Sequence, residues 1–129
     1  MENKLNYVNL VKKLPIFNQL EPEDLHLLLE QEHVLRIMSF KAGEKIIAQN
    51  RLDRKIYLML KGCVEICKEV ISGDCRIEKT IKTYADDGEG NFLGEMTAFT
   101  GKPRTASVIA AEDSIGLVID IAQLMETSS

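Results

Sequence analysis

Apolar residues fall at positions 5, 7, 8, 10, 11 and 14, a helical spacing that Pro15 should end, because its ring clashes with a preceding turn. Glu21-Pro22-Glu23-Asp24 then sets proline and acids in a first turn. Leu25, Leu28 and Leu29 form the apolar face of a second helix, running to about Glu32. From Val34 the period drops from about four to two. Val34–Phe40 reads as a strand, Lys41–Glu44 as a turn, Lys45–Gln49 as the next strand and Asn50–Arg54 as a polar turn. Ile56–Leu60 is a third strand, broken at Lys61-Gly62. Beyond it Cys63–Ile71 alternates, with Val64, Ile66 and Lys68 on one side and Cys63, Glu65, Cys67 and Glu69 on the other. Ser72-Gly73-Asp74 is a hairpin turn that returns Arg76–Tyr84 as the partner strand. Ala85–Asn91 is a loop rich in glycine and acids. Thr105–Ala111 and Ser114–Ile121 are two more strands around the turn Glu112-Asp113, and a short helix starts near Ile121 and runs into Glu126. Short strands with turn signals about every 8–12 residues indicate a mainly β chain, an antiparallel sandwich or barrel with helices only at its ends.

At 129 residues, with no repeat, linker or low-complexity tract, this pattern fills one domain, residues 1–129. Its 45% hydrophobic and 28% charged residues suit an ordinary globular protein. Sixteen basic against 20 acidic side chains leave a net charge of −4, which argues against general nucleic-acid binding. No apolar run nears the ~20 residues of a membrane span. The opening MENKLNYVNLVKK lacks the order of a secretory signal, so a cytoplasmic location is expected. Cys63, Cys67 and Cys75 cannot all pair within one chain, and an odd count without a signal peptide points to a reducing compartment. They read as buried strand cysteines, since free cysteine behaves as a small hydrophobe. His26 and His33 have no acid or cysteine at ligand spacing, so no metal site is expected. No nucleophile–base or paired-carboxylate arrangement is visible, which speaks against an enzyme and leaves no catalytic residue to name.

One stretch breaks the alternation: Asn91-Phe92-Leu93-Gly94-Glu95-Met96-Thr97-Ala98-Phe99-Thr100-Gly101-Lys102-Pro103-Arg104-Thr105-Ala106-Ser107-Val108. Gly94 opens a single helical turn over Glu95–Phe99, and Gly101 with Pro103 close it. Backbone N–H groups at such a turn hold an anion. Arg104 lies just beyond, where its guanidinium can grip a phosphate through paired charged hydrogen bonds. Glu95 is an acceptor and would repel phosphate, but suits a ligand that also offers a hydroxyl. The residues alone therefore suggest a phosphate-plus-sugar site, against the plainer reading of a solvated Glu and Arg at a turn.

With FLGEMTAFTGKPRTASV the chain resembles the cyclic nucleotide-binding domain family, whose phosphate-binding cassette reads Gly-Glu-Leu-Ala-Leu, a short spacer, then Pro-Arg-Thr/Ala/Ser-Ala. The likeness extends to Leu14-Pro15-Ile16-Phe17, Leu20–Leu25, Phe40–Glu44, Ile56–Gly62, Gly90-Asn91-Phe92 and Glu112-Asp113-Ser114, covering roughly residues 10 to 125. It implies an antiparallel β-roll over residues 34–121, with the cassette at 92–107 carrying its own short helix. A helical segment over 1–33 would precede the roll, and the start of a C-terminal helix over 122–129 would follow it. It implies a non-catalytic regulatory module that needs no cofactor and holds cAMP or cGMP. By matching position, Glu95 would bind the ribose 2′-hydroxyl and Arg104 the exocyclic phosphate oxygens. The Met96, Thr97 and Ala98 backbone N–H groups and the Thr105 and Ala106 backbone would complete the cradle, and Gly94 would let the backbone approach the sugar. The Thr105 hydroxyl could reach the phosphate or the guanine amino group. Glu95 and Arg104 would lie on the polar floor, so folding should survive their replacement.

Met96, Thr97 and Ala98 depart from the family's usual leucine, alanine and leucine. Asn50 stands where a turn glycine is common, and asparagine is one of the few other residues that accept a left-handed backbone. The chain stops at Ser129, so the family's long C-terminal helix is expected to be essentially missing. The chain would then be a fragment of a longer receptor or a free-standing module with an open pocket. Two alternatives remain. One is a degenerate domain kept for protein interaction, against which the presence of both Glu95 and Arg104 counts. The other is the effector half of a transcription regulator, although no helix-turn-helix follows, so neither DNA nor membrane binding is expected through this chain alone.

Overall fold

Lys55–Glu69 is one strand of 15 residues, β3, and every other strand but two pairs with it. The computed structural model describes Lys12, residues 15–84, residues 91–94 and residues 100–128. In chain order come α1 (Pro15–Asn18), α2 (Pro22–Leu29), β1 (Leu35–Phe40), β2 (Lys45–Ile47), β3, β4 (Cys75–Thr83), β5 (Asn91–Leu93), β6 (Ser107–Ala110), β7 (Ser114–Asp120) and α3 (Ile121–Ser128). The helix expected over residues 5–14 lies outside the described residues, as do the 85–90 part of the acidic loop and the Glu95–Phe99 turn. Pro15 begins a helical turn, as proline at a first helical position can, its fixed φ already being helical. The second helix ends at Leu29, short of Glu32, and Asn91, expected in the loop, opens β5.

The expected break at Lys61-Gly62 does not occur. Gly62 adopts φ 124° without ending the strand, and β3 instead passes from one set of partners to another. Before Gly62 it pairs antiparallel with β7 and β5; from Gly62 onward its partners are β4 and β6. A Cβ at Gly62 would run into Ser114, so only glycine lets the strands cross this closely at the corner. The curled antiparallel sheet follows the path β1-β7-β3-β6-β2.

Burial explains the unbroken apolar run Ile56–Leu60. Ile56, Leu58 and Leu60 face a core shared with Phe17, Leu25, Leu29, Leu117, Ile119 and Ile121, beneath the terminal helices. Tyr57 and Met59 face the other way, into the hollow of the roll, with Phe40, Ile47, Val64, Leu93, Val108 and Val118. A strand covered on both faces needs apolar residues at every position. Farther along, the alternation expected for Cys63–Ile71 holds at Val64 and Ile66, which face the hollow, whereas Cys67, expected on the side of Glu65, is also buried, to 1% exposure; the bulge opposite it lies on β4, where Glu78 is the extra residue.

The cysteines also differ from expectation. Cys67 and Cys75 form a disulfide across β3 and β4, with Cα atoms 5.6 Å apart, while Cys63 is free and half-buried. Cys75 is exposed, so of the three only Cys67 is a buried strand cysteine.

Candidate functional site

Arg104 is the only basic side chain that is buried among the described residues, at 3% exposure. Its backbone is pinned to the β2–β3 turn. The Arg104 amide donates to the Arg51 carbonyl at 2.9 Å, and the Arg104 carbonyl accepts from the Asn50 amide at 2.8 Å. Asn50 holds φ 69°, the left-handed conformation expected of it. The guanidinium then crosses the hollow. Its Nη1 donates to the Gly94 carbonyl at 2.8 Å, and its Nη2 donates to Asp53 Oδ1 at 2.8 Å and to the Lys55 carbonyl at 2.5 Å. A buried cation is tolerable only with such partners, and the carboxylate supplies the charge.

Gly94 ends β5, which is seated on β3 through Leu93 opposite Tyr57 and tied to β4 by the Asn91 Nδ2 donation to Thr83 Oγ1 at 2.6 Å. Gly94 has φ 78°, and a Cβ there would collide with Arg104 Nη1. Glycine is therefore required twice at this position, by the backbone conformation and by the guanidinium lying against it.

Behind Arg104 the chain runs through Thr105 and Ala106 into β6. Lys68 Nζ on β3 donates to the Thr105 carbonyl at 2.7 Å. The buried Ser107 hydroxyl accepts from the Gln49 amide at 2.9 Å and donates to Glu69 Oε1 at 3.1 Å, and Lys45 Nζ meets the same carboxylate oxygen at 2.6 Å. These hydrogen bonds, Lys45 foremost, hold the Glu69 carboxyl below the ordinary carboxylate range. Burial, with Asp53 next in effect, pushes the Tyr57 phenol up to about 12.

Gly94, Arg104, Thr105 and Ala106 line a cavity of about 140 Å³ whose apolar wall is Ile47, Ile66, Leu93 and Val108. That is room for a phosphate and part of a sugar, below the ~300–1,000 Å³ of pockets that enclose a whole drug-sized ligand. A larger hollow of about 320 Å³ lies between Phe40, Lys61 and Ile115, but its lysines are exposed, and Asp113 on its wall is taken up by the Ala42 amide at 2.9 Å. The smaller cavity holds the buried charge and is the better candidate for an anionic ligand.

Of the eight residues singled out from the sequence, the structure brings Gly94, Arg104, Thr105 and Ala106 together; Glu95, Met96, Thr97 and Ala98 lie outside the described residues. Asp53, Lys55 and Lys68 were not foreseen. Asp53 sits in a polar turn 51 positions from its partner, and no local pattern marks such a contact. Arg104 is not on an open polar floor: it is buried and bonded on three sides, so its replacement is expected to cost stability. Truncation would remove the guanidinium from Asp53 Oδ1, which would keep the Lys55 amide at 2.9 Å, and from the Gly94 and Lys55 carbonyls.

Residues 37–128 match the family model for the cyclic nucleotide-binding domain. The chain is 30% identical over 104 residues to the cyclic AMP receptor protein of Thermus thermophilus, covering 81% of this chain and 44% of that protein. It is 28% identical over 110 residues to the cGMP-dependent protein kinase of Plasmodium berghei, covering 85% of this chain and 11% of the kinase. The chain thus spans under half the length of either relative. Among solved structures, a cyclic nucleotide-binding-like protein from Brucella abortus superposes with a TM-score of 0.75 at 16% identity, over 94% of this chain and 96% of that one. No helix among the described residues is long and apolar enough to cross a membrane.

Proposed function

Because the chain belongs to the cyclic nucleotide-binding domain family, we propose that it binds a purine 3′,5′-cyclic monophosphate, cAMP or cGMP, and does not transform it. The observation that carries this reading is the buried Arg104 guanidinium against Gly94, at the wall of a cavity with room for a phosphate and part of a sugar. Arg104 takes the exocyclic phosphate oxygens, a charge-assisted contact in a desolvated hollow. Asp53 holds the guanidinium in place before the ligand arrives, so little side-chain order is lost on binding. Glu95 accepts from the ribose 2′-hydroxyl, the Met96, Thr97 and Ala98 amides face the phosphate, and Thr105 and Ala106 close the cradle. No cofactor takes part, and the action is that of a regulatory module in the cytoplasm, without DNA or membrane contact through this chain.

The named relatives include a cyclic AMP receptor and a cGMP-dependent kinase, so both bases are admitted. Thr105 is exposed and its carbonyl is held by Lys68, which leaves its hydroxyl to serve either the shared phosphate or the guanine amino group. Discrimination below about tenfold is expected, equivalent to ~1.4 kcal/mol.

One observation favours a second reading, a domain kept for protein interaction. The Arg104 charge already has a carboxylate partner and does not need a ligand to be neutralised. Calorimetric titration of nucleotide-free protein with cAMP and cGMP separates the two. Micromolar binding, about −8 kcal/mol, supports the receptor reading. No heat with either nucleotide at millimolar concentration, on protein shown to be folded, supports the other.

A further inference from the structure

Of three consecutive residues of β3, the first closes the β3–β4 hairpin on itself and the next two bind it to the Arg104–Ser107 segment. Cys67 is bonded to Cys75. Lys68 donates to the Thr105 carbonyl at 2.7 Å. Glu69 accepts from the buried Ser107 hydroxyl at 3.1 Å. Cys67 is also the sheet partner of Ser107. The disulfide therefore closes a small loop, with a sequence separation of 8, that contains both residues latching the Arg104–Ser107 segment onto β3. Beyond β6 the hairpin is also held by exposed contacts, Lys45 Nζ to Glu69 Oε1 at 2.6 Å, the Glu69 amide to Gln49 Oε1 at 2.8 Å and Lys82 Nζ to Glu112 Oε1 at 2.8 Å, but none of these reaches the Arg104–Ser107 segment directly.

We infer that Cys67 and Cys75 are a reversible thiol–disulfide site whose state sets how firmly residues 104–107 are held, and through them the affinity of the cavity for its nucleotide. The effect on affinity rests on the binding reading above; the thiol site does not. In the cytoplasmic setting of the reading above a disulfide is ordinarily transient and redox-sensing, and a cross-link there acts as a switch and not a permanent staple. The two sulfurs differ in access. Cys75 is exposed, whereas Cys67 is buried to 1%, so an attacking thiolate meets the Cys75 sulfur. A dithiol reductant forms a mixed disulfide with Cys75 and expels the Cys67 thiolate, which takes a proton. Its second thiolate then attacks the mixed disulfide and frees Cys75 as a thiol. Two electrons and two protons have moved to the protein, and the reductant leaves as its own disulfide. Cys63 stays a thiol throughout and serves as an internal reference.

The reduced hairpin loses its covalent closure but keeps its ladder, so the fold persists while Lys68 and Glu69 gain freedom. The oxidised form, with its latch ordered in advance, should bind about threefold or more tightly than the reduced form, because less is left to order on binding.

The test equilibrates the full chain in glutathione buffers of graded ratio, traps thiols by alkylation in denaturant and counts them by mass. Amide exchange at residues 105–107 and titrations with cAMP and cGMP follow at each end of the series. Expected are a passage from three alkylated cysteines to one, exchange at 105–107 slowing by about threefold or more on oxidation, and a parallel rise in affinity. Cys75→Ser, at an exposed position, should lock both readouts at their reduced values whatever the buffer. Three alkylated cysteines at every ratio, unchanged exchange on oxidation, or a redox response that persists in Cys75→Ser would each overturn the proposal. Slowed exchange on a chain that binds neither nucleotide would uphold the thiol latch and overturn the binding reading instead.

Discussion

The Arg104–Asp53 pair concentrates charge in a place that cannot hold it alone. Arg104 is 2% exposed at its side chain and Asp53 is 24% exposed, so removing the carboxylate leaves an uncompensated cation in the roll. Asp53→Asn should lower stability by roughly 1–3 kcal/mol, read from urea unfolding. A cyclic phosphate would then supply the missing negative charge, so cAMP should raise the melting temperature of Asp53→Asn more than that of the wild type. Equal shifts would mean that Asp53 and the phosphate do not meet at the same guanidinium. Tyr57, which shares this surrounding, gives a pH signature. Its phenol is raised to about 12 from 10.0, so the folded state holds the proton more tightly than the unfolded state. That contribution, roughly 3 kcal/mol, is fully present below pH 10 and is lost as pH climbs toward about 12. Stability of wild type should fall over that interval and that of Tyr57→Phe should fall less; parallel curves would refute the assignment. Arg104 and Gly94 could be picked out beforehand because the candidate cradle residues lie close together in the chain and have distinctive types. Asp53 and Lys68 could not, since a lone acid in a turn and a lone lysine in a strand look like any solvated residue until the sheet closes.

Among the elements, β3 departs most from what local pattern implies. Lys-Gly inside an apolar run is a sound turn signal, yet Gly62 serves as a corner within a continuous strand. Local pattern reports backbone freedom; whether that freedom ends a strand or bends it depends on partners distant in sequence, here Ser114 and the strand it begins. The same holds opposite Ile66 and Cys67, where β4 carries one extra residue, Glu78, that no local pattern marks. Most of the other turns and strands are readable because those strands are short and bounded by Gly, Asn or Asp, but their order in the sheet is not. Gly62→Ala combines a left-handed φ with a collision against Ser114, and should cost at least about 2 kcal/mol in urea unfolding. Gly73→Ala, with an open space around its φ of 89°, should cost only the backbone part. Equal losses would show that the close approach to Ser114 is unimportant.

Across the whole molecule, two apolar clusters are separated by the same strands, β3 and β7, one lying beneath the helices and the other lining the hollow. Ile119 belongs to the helical side and Val118 to the hollow, so the two faces of β7 can be probed apart. Ile119→Ala should destabilise by about 2–5 kcal/mol while leaving nucleotide affinity within twofold; Val118→Ala should cost less and alter affinity more. If both variants bound nucleotide equally, the hollow would not be shaped by its own cluster. The place of β7 has a further consequence, at the ribosome. This strand runs between β1 and β3, with Leu35 facing Ile119 and Leu58 facing Leu117, yet it follows both of them in the chain by more than 40 residues. Until residues 114–120 leave the exit tunnel, β1 and the first half of β3 each lack the partner strand that lies between them. Nascent chains halted before Ser114 should therefore be held by chaperones or aggregate, whereas those released past Asp120 should fold on the millisecond-to-second scale of sheets built from distant pairings.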